Sequence, residues 1–188
     1  LVGHSWSGSV VLAFALAYPE DISGGVLLAG GSHSWQGGVA WYADVGVTPI
    51  LGHMFAHLVA LPLGQLILDT AVARVLAPNA VPENYVHNTG AQLALRPGQF
   101  LANAEDLSEL SEFLAQQSKR YVDIETPLLL LTADQDDIVP AWNHAERLME
   151  QVPNATLIEL KQAGHALHHA YPQLIAEKVR NFALLLNR

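Results

Sequence analysis

The sequence predicts an α/β fold: a mainly parallel sheet with flanking helices, into which a long helical segment is inserted between strands. Three observations carry this reading. Gly25-Val26-Leu27-Leu28-Ala29 and Leu128-Leu129-Leu130-Leu131 are unbroken apolar runs, which mark strands buried on both faces, as in parallel sheets. Apolar residues at helical spacing follow the first and last strands, at Val10, Val11, Phe14 and Ala15 and again at Ile175, Val179, Phe182 and Leu186. From Ser32 to Asp123 the strand rhythm disappears, and helices are punctuated by Pro49, Pro62, Pro78, Pro82 and Pro97.

Element by element, the chain opens on the end of a strand, then Gly3-His4-Ser5-Trp6-Ser7-Gly8, then a helix stopped by Pro19. A serine on a sharp strand-to-helix turn needs small residues two positions to either side, so that strand and helix can approach. Gly3 and Ser7 fill those positions, Ser7 where the strict pattern has glycine. Ser23 to Gly31 reads as a short buried strand bounded by glycines. Helices are expected near Thr48 to Ala60, Leu63 to Leu76, Pro82 to Leu95 and Pro97 to Gln117. Pro127 to Ala133 is a strand ending in the acids Asp134, Asp136 and Asp137, at the carboxyl edge where open α/β sheets carry their chemistry. Ala155 to Leu160 is the last strand, and Gly164-His165 lies on the loop after it. The division expected is a core at 1–31, a helical lid at 32–123 and a core at 124–188.

These segments, in the order serine, acid, histidine, resemble the α/β-hydrolase superfamily, in particular its lid-bearing, serine esterase-like members. The likeness covers the C-terminal part of that fold, starting at the nucleophile elbow. It implies Ser5 as nucleophile, His165 as general base and acid, and Asp136 as the residue orienting the imidazole, with Asp134 and Asp137 as competing acids. The family's D-x-x-V-P stretch corresponds to Asp136 through Pro140. The backbone amide of Trp6 would serve the oxyanion hole. The inserted lid would shape the acyl pocket, with Trp35, Trp41, Phe55 and Leu58 as candidate lining, beside Tyr42 and Met54.

The activity implied is hydrolysis of an ester-type bond in a small, largely apolar substrate through an acyl-enzyme. Carbon–carbon bond hydrolysis and cofactor-free haloperoxidase chemistry use the same three residues, and a truncated, non-catalytic interaction module is the alternative of a different class. The family builds further strands and a second oxyanion donor before the elbow, so the sequence is expected to belong to a longer hydrolase.

Composition narrows the partners. The 188 residues are 51% hydrophobic, with 9 Lys and Arg against 18 Asp and Glu, a net charge of −9, which disfavours nucleic acid and anionic membrane surfaces and suits a neutral small molecule. With no cysteine, disulfides are excluded. No basic leader precedes an apolar core, and a cytoplasmic location is expected. Val45 to Leu68 is apolar enough to raise the question of a transmembrane helix, but Pro49, Gly52, His53, His57, Pro62, Gly64 and Gln65 interrupt it. Two short lid helices, and no stable membrane span, are expected there. His165, His168 and His169, and the pair His53 and His57, are spaced as metal ligands could be. With no H-E-x-x-H pattern and no cysteine to complete a site, neither a metal nor a cofactor is expected, and the oligomeric state is left open.

Overall fold

A computed structural model of the chain describes residues 1–35 and 41–186; of Trp41 only the backbone is described. In chain order the elements are β1 (Val2–His4), α1 (Trp6–Ala17), β2 (Gly25–Leu28), α2 (Trp41–Gly46), α3 (Leu51–Phe55), α4 (Leu61–Leu76), α5 (Tyr85–Thr89), α6 (Pro97–Gln117), β3 (Leu128–Ala133), α7 (Ala145–Gln151), β4 (Ala155–Leu160), α8 (Leu167–Ala170) and α9 (Pro172–Leu186). The chain divides into two compact units, one of residues 1–33, 75–79 and 114–188, the other of residues 34–74 and 80–113.

The first unit holds the sheet. Its four strands are parallel and lie in the order β1-β2-β3-β4, with Gly3 beside Leu27 and Leu27 beside Leu130. Successive side chains of a strand point to opposite faces, and both faces here are covered. Leu27, Leu128 and Leu130 pack with Val11, Leu12 and Ala15 of α1 and Leu148 of α7. Val26, Leu28, Leu129 and Leu131 pack on the other side with Leu167 of α8 and Ile175 of α9. The four consecutive leucines of β3 thus serve two cores, which is why the segment carries no polar alternation.

The second unit is helical. Its best-buried apolar side chains are small, Ala43, Ala56 and Ala104, while Phe100 of α6 meets Phe55 at 5.8 Å and Tyr42 at 6.1 Å between ring centroids. Helix α6 has the bounds expected of it, Pro97 to Gln117. The segment expected as one helix from Pro82 to Leu95 is instead a short α5 and a 3-10 turn, Ala91–Leu95, separated by left-handed Gly90 at φ 68°.

A second expectation is corrected at Pro62. The segment does not break into two short helices: α3, a π-helical turn at Ala56–Ala60 and α4 form one helical run from Leu51 to Leu76. A mid-helix proline has no N–H to donate and crowds the carbonyl four residues earlier. The widened π turn ends two residues before Pro62 and absorbs that conflict. By length and composition this run is the one among the described helices that is apolar enough to cross a membrane. Leu58, Leu66 and Ile67 are 68%, 80% and 59% exposed on it.

Candidate active site

Ser5 sits between β1 and α1 at φ 54° and ψ −122°, a conformation that costs an L residue free energy and persists only where its surroundings fix it. Five hydrogen bonds fix it. The Ser5 amide donates to Leu28 O at 3.0 Å, and the Ser5 carbonyl accepts from Gly8 and Gly31 amides, each at 3.0 Å. The hydroxyl of Ser7 accepts from the His4 amide at 2.9 Å and donates to the His4 carbonyl at 2.8 Å, clipping the turn shut. The residue that departs from the strict glycine pattern is therefore engaged in holding the elbow. Gly3 is required by contact: a Cβ there would fall on the carbonyl oxygen of Ser7.

His165 reaches Ser5 from the loop after β4. Its Nε2 lies 2.8 Å from Ser5 Oγ and its Nδ1 2.9 Å from Asp136 Oδ2. A carboxylate can only accept, so Nδ1 carries the proton and Nε2 is the acceptor facing the Ser5 hydroxyl. Asp136, at the carboxyl end of β3, receives the amides of Ile138 and Val139 on its other oxygen, both at 2.9 Å. Burial opposes its charge, but the hydrogen bond and charge of His165 and these two amides outweigh burial and hold the carboxyl below its usual range. Asp136 and His165 are 7% and 6% exposed. Asp134 is exposed and accepts instead from the Ala163 amide at 3.3 Å, so its carboxylate serves the loop.

Of the residues expected to act together, Ser5, His165 and Asp136 form one hydrogen-bonded chain. Trp6 is the first residue of α1, so its amide has no acceptor a turn earlier within the helix. Trp35, Phe55 and Leu58 belong to the second unit, where Trp35 and Phe55 are half-buried. The Trp41 side chain lies outside the described residues. Among the described residues no group of three or more His, Cys, Asp or Glu is arranged to hold a metal ion.

Two features around this site escaped the sequence. His4 Nε2 lies 3.0 Å from the carbonyl oxygen of His165, so this nitrogen carries the proton and donates. The His4 ring also packs on those of His165 and His168, with centroids 4.8 and 4.3 Å apart. Burial, the largest influence, lowers the His4 pKa even though the bond to His165 O raises it. Behind the acid loop lies a buried polar cluster. Ser32 and His33 amides both donate to His144 Nδ1 at 3.2 Å, Tyr121 Oη donates to Ser32 O at 2.6 Å, and Gln117 Nε2 donates to Tyr121 Oη at 3.0 Å. His33 and His144 are almost fully enclosed, and burial first of all pushes both down to about 4, with help for His33 from the Arg147 charge and for His144 from His33. The cluster joins the segment leaving β2, the chain entering β3 and the start of α7.

A model of the alpha/beta hydrolase family matches residues 1–178. The chain belongs to the alpha/beta hydrolase family. RutD of Pseudomonas syringae pv. syringae (strain B728a), provisionally named a carbamate hydrolase, is 26% identical over 189 residues, covering 96% of this chain and 66% of its own. YugF of Bacillus subtilis (strain 168), named only as a hydrolase, is 24% identical over 97% of this chain and 64% of its own. The chain thus spans less than two thirds of the length of these relatives. Among solved structures, the serine hydrolase CCSP0084 from Cycloclasticus zankles superimposes with a TM-score of 0.70 at 19% identity, over 96% of this chain and 62% of its own, a likeness of fold. In this family member the parallel sheet puts the elbow, the acid and the histidine at the same edge.

Proposed function

We propose that this chain carries the catalytic residues of a serine hydrolase that cleaves an acyl-type bond, an ester or a carbamate, in a small, largely apolar substrate. The observation that carries the reading is the bonded chain from Ser5 Oγ through His165 to Asp136 Oδ2, at 2.8 and 2.9 Å. It is supported by the strained backbone at Ser5, and the carbamate alternative by the name given to RutD.

In this reading Ser5 Oγ bonds to the acyl carbon while its proton passes to His165 Nε2, already positioned as acceptor. The tetrahedral oxyanion is received by the Trp6 amide, favoured by the positive end of α1. Collapse breaks the bond to the leaving group, which takes the proton from His165. Water then adds to the acyl-enzyme with His165 again accepting a proton, and expulsion of Ser5 Oγ returns that proton to the serine. Asp136 keeps Nδ1 protonated and stabilises the imidazolium. The second unit is read as the cap, with Trp35, Trp41, Phe55 and Leu58 as candidate pocket lining.

The test is turnover of paired aryl esters and aryl carbamates with the same acyl chain by the full-length natural protein. Hydrolysis of either series, lost in Ser5→Ala, is expected. No turnover of either, with turnover of a carbon–carbon substrate or a halide-dependent oxidation instead, would replace this reaction by another of the same fold.

A further inference from the structure

The polypeptide of the second unit is interrupted. Residues 34–74 and 80–113 form that unit, but the intervening residues 75–79 pack with the sheet-bearing unit. Leu76 is 3% exposed there. What this segment touches is the loop that carries His165. The amide of Ala166 donates to Val75 O at 3.3 Å. Asn79 Nδ2 donates to Gln162 O at 3.1 Å. Between these two bonds, Gly164 lies so close that a Cβ would overlap the carbonyl oxygen of Ala77. The glycine before His165 is thus demanded by the passing backbone.

Gln162 is the informative contact. It holds φ 55°, a left-handed conformation unfavourable for glutamine, three residues before His165. Such a residue stays in place when its neighbours over-determine it. Its carbonyl accepts from two directions, from Tyr171 Oη at 3.1 Å and from Asn79 Nδ2. A carbonyl can only accept, so the amide nitrogen of Asn79 is the atom facing it.

We propose that residues 75–79 are a strap that sets the backbone of the catalytic histidine loop, with Asn79 as its positioning residue. The inference rests on His165 acting as general base. The inserted polypeptide then contributes to the reaction a position: the Nε2 of His165 is aimed at Ser5 partly by a segment continuous with both stretches of the second unit. A misplacement of about 1 Å at a reacting group costs on the order of a hundredfold in rate, so a partial loosening has a readable effect.

The experiment compares wild type, Asn79→Leu, Asn79→Gln and Gly164→Ala in the full-length protein. Three quantities are read: kcat and KM on an aryl ester, the thermal midpoint, and the downfield proton resonance of the His165 Nδ1–H···Asp136 bond. Asn79→Leu is expected to lower kcat about tenfold with KM within about twofold, and to shift or broaden that resonance with little change in the midpoint. Asn79→Gln, which keeps a donor, is expected to recover part of the loss, and Gly164→Ala to exceed it. An unchanged resonance in Asn79→Leu overturns the strap, whether or not the midpoint or kcat falls. Fluorophosphonate labelling that persists in Ser5→Ala would instead remove the serine reading, and the resonance still reports the loop, so the two fail separately.

Discussion

The Nε2–H of His4 donates to the main-chain oxygen of His165 at 3.0 Å, joining the residue before Ser5, the proposed nucleophile, to the residue that would activate it. The link means that the elbow and the histidine loop hold each other. A hydrogen bond of this kind is worth about 1 kcal/mol, or roughly fivefold in rate if it is fully expressed in the transition state. His4→Phe keeps the ring contacts with His165 and His168 and removes the donor, and is expected to lower kcat by about fivefold with little change in KM. Steady-state kinetics on an aryl ester check this, and an unchanged kcat would show the link to be incidental.

The clip at the elbow predicts a loss of stability. Ser7→Ala leaves the His4 amide and carbonyl without their partner, at a cost of about 1–2 kcal/mol. Gly3→Ala is expected to be worse, because its Cβ meets the backbone of α1 and the backbone cannot move aside cheaply. Urea unfolding of the two variants, read as a midpoint shift at constant slope, tests the order.

Acid sensitivity follows from the enclosed cluster. His33 and His144 have folded pKa values of about 4 against 6.5 for a free imidazole. Between about 4 and 6.5 the unfolded chain binds more protons than the folded one, so stability rises with pH across this window. It is fully present above 6.5 and is lost as pH falls toward 4. Denaturation midpoints taken from pH 7 to pH 4 should fall steeply in wild type and less steeply in His33→Gln. Tyr121→Phe, which strips Ser32 O of its donor, should cost about 1–3 kcal/mol at neutral pH.

The two loop acids should separate cleanly. Asp136→Asn keeps the shape but removes the carboxylate facing His165 Nδ1, and analogous changes cost on the order of ten-thousandfold in kcat. Asp134→Asn touches a carboxylate that accepts from the Ala163 amide and is expected to retain activity within about threefold, since surface substitutions of this kind are within about 0.5 kcal/mol.

How much of this was legible in the sequence depends on the length of the pattern. The buried strands announce themselves because Leu128 to Leu131 serve two cores and so carry no polar residue. Helix α6 is marked by Pro97 at its first position. The order of Ser5, Asp136 and His165 along the chain pointed to the residues that the fold brings into hydrogen-bond reach. Pro62 misled, because proline's effect depends on whether a neighbouring turn can widen, a property of tertiary context and not of the residue. The cluster of Ser32, His33, Tyr121 and His144 was invisible because its members lie up to 112 positions apart and share no period. The strap at 75–79 left a trace in Gly164, whose need for a missing side chain becomes clear only once Ala77 is seen beside it.

The proposed role of Ser5 as nucleophile is tested most directly by the site of covalent modification by a fluorophosphonate. The full-length protein would be labelled, digested and mapped by mass spectrometry beside Ser5→Ala. One phosphonyl adduct is expected, on Ser5, formed with loss of fluoride and absent from Ser5→Ala. An adduct on another serine, or labelling that persists undiminished in Ser5→Ala, would contradict that role.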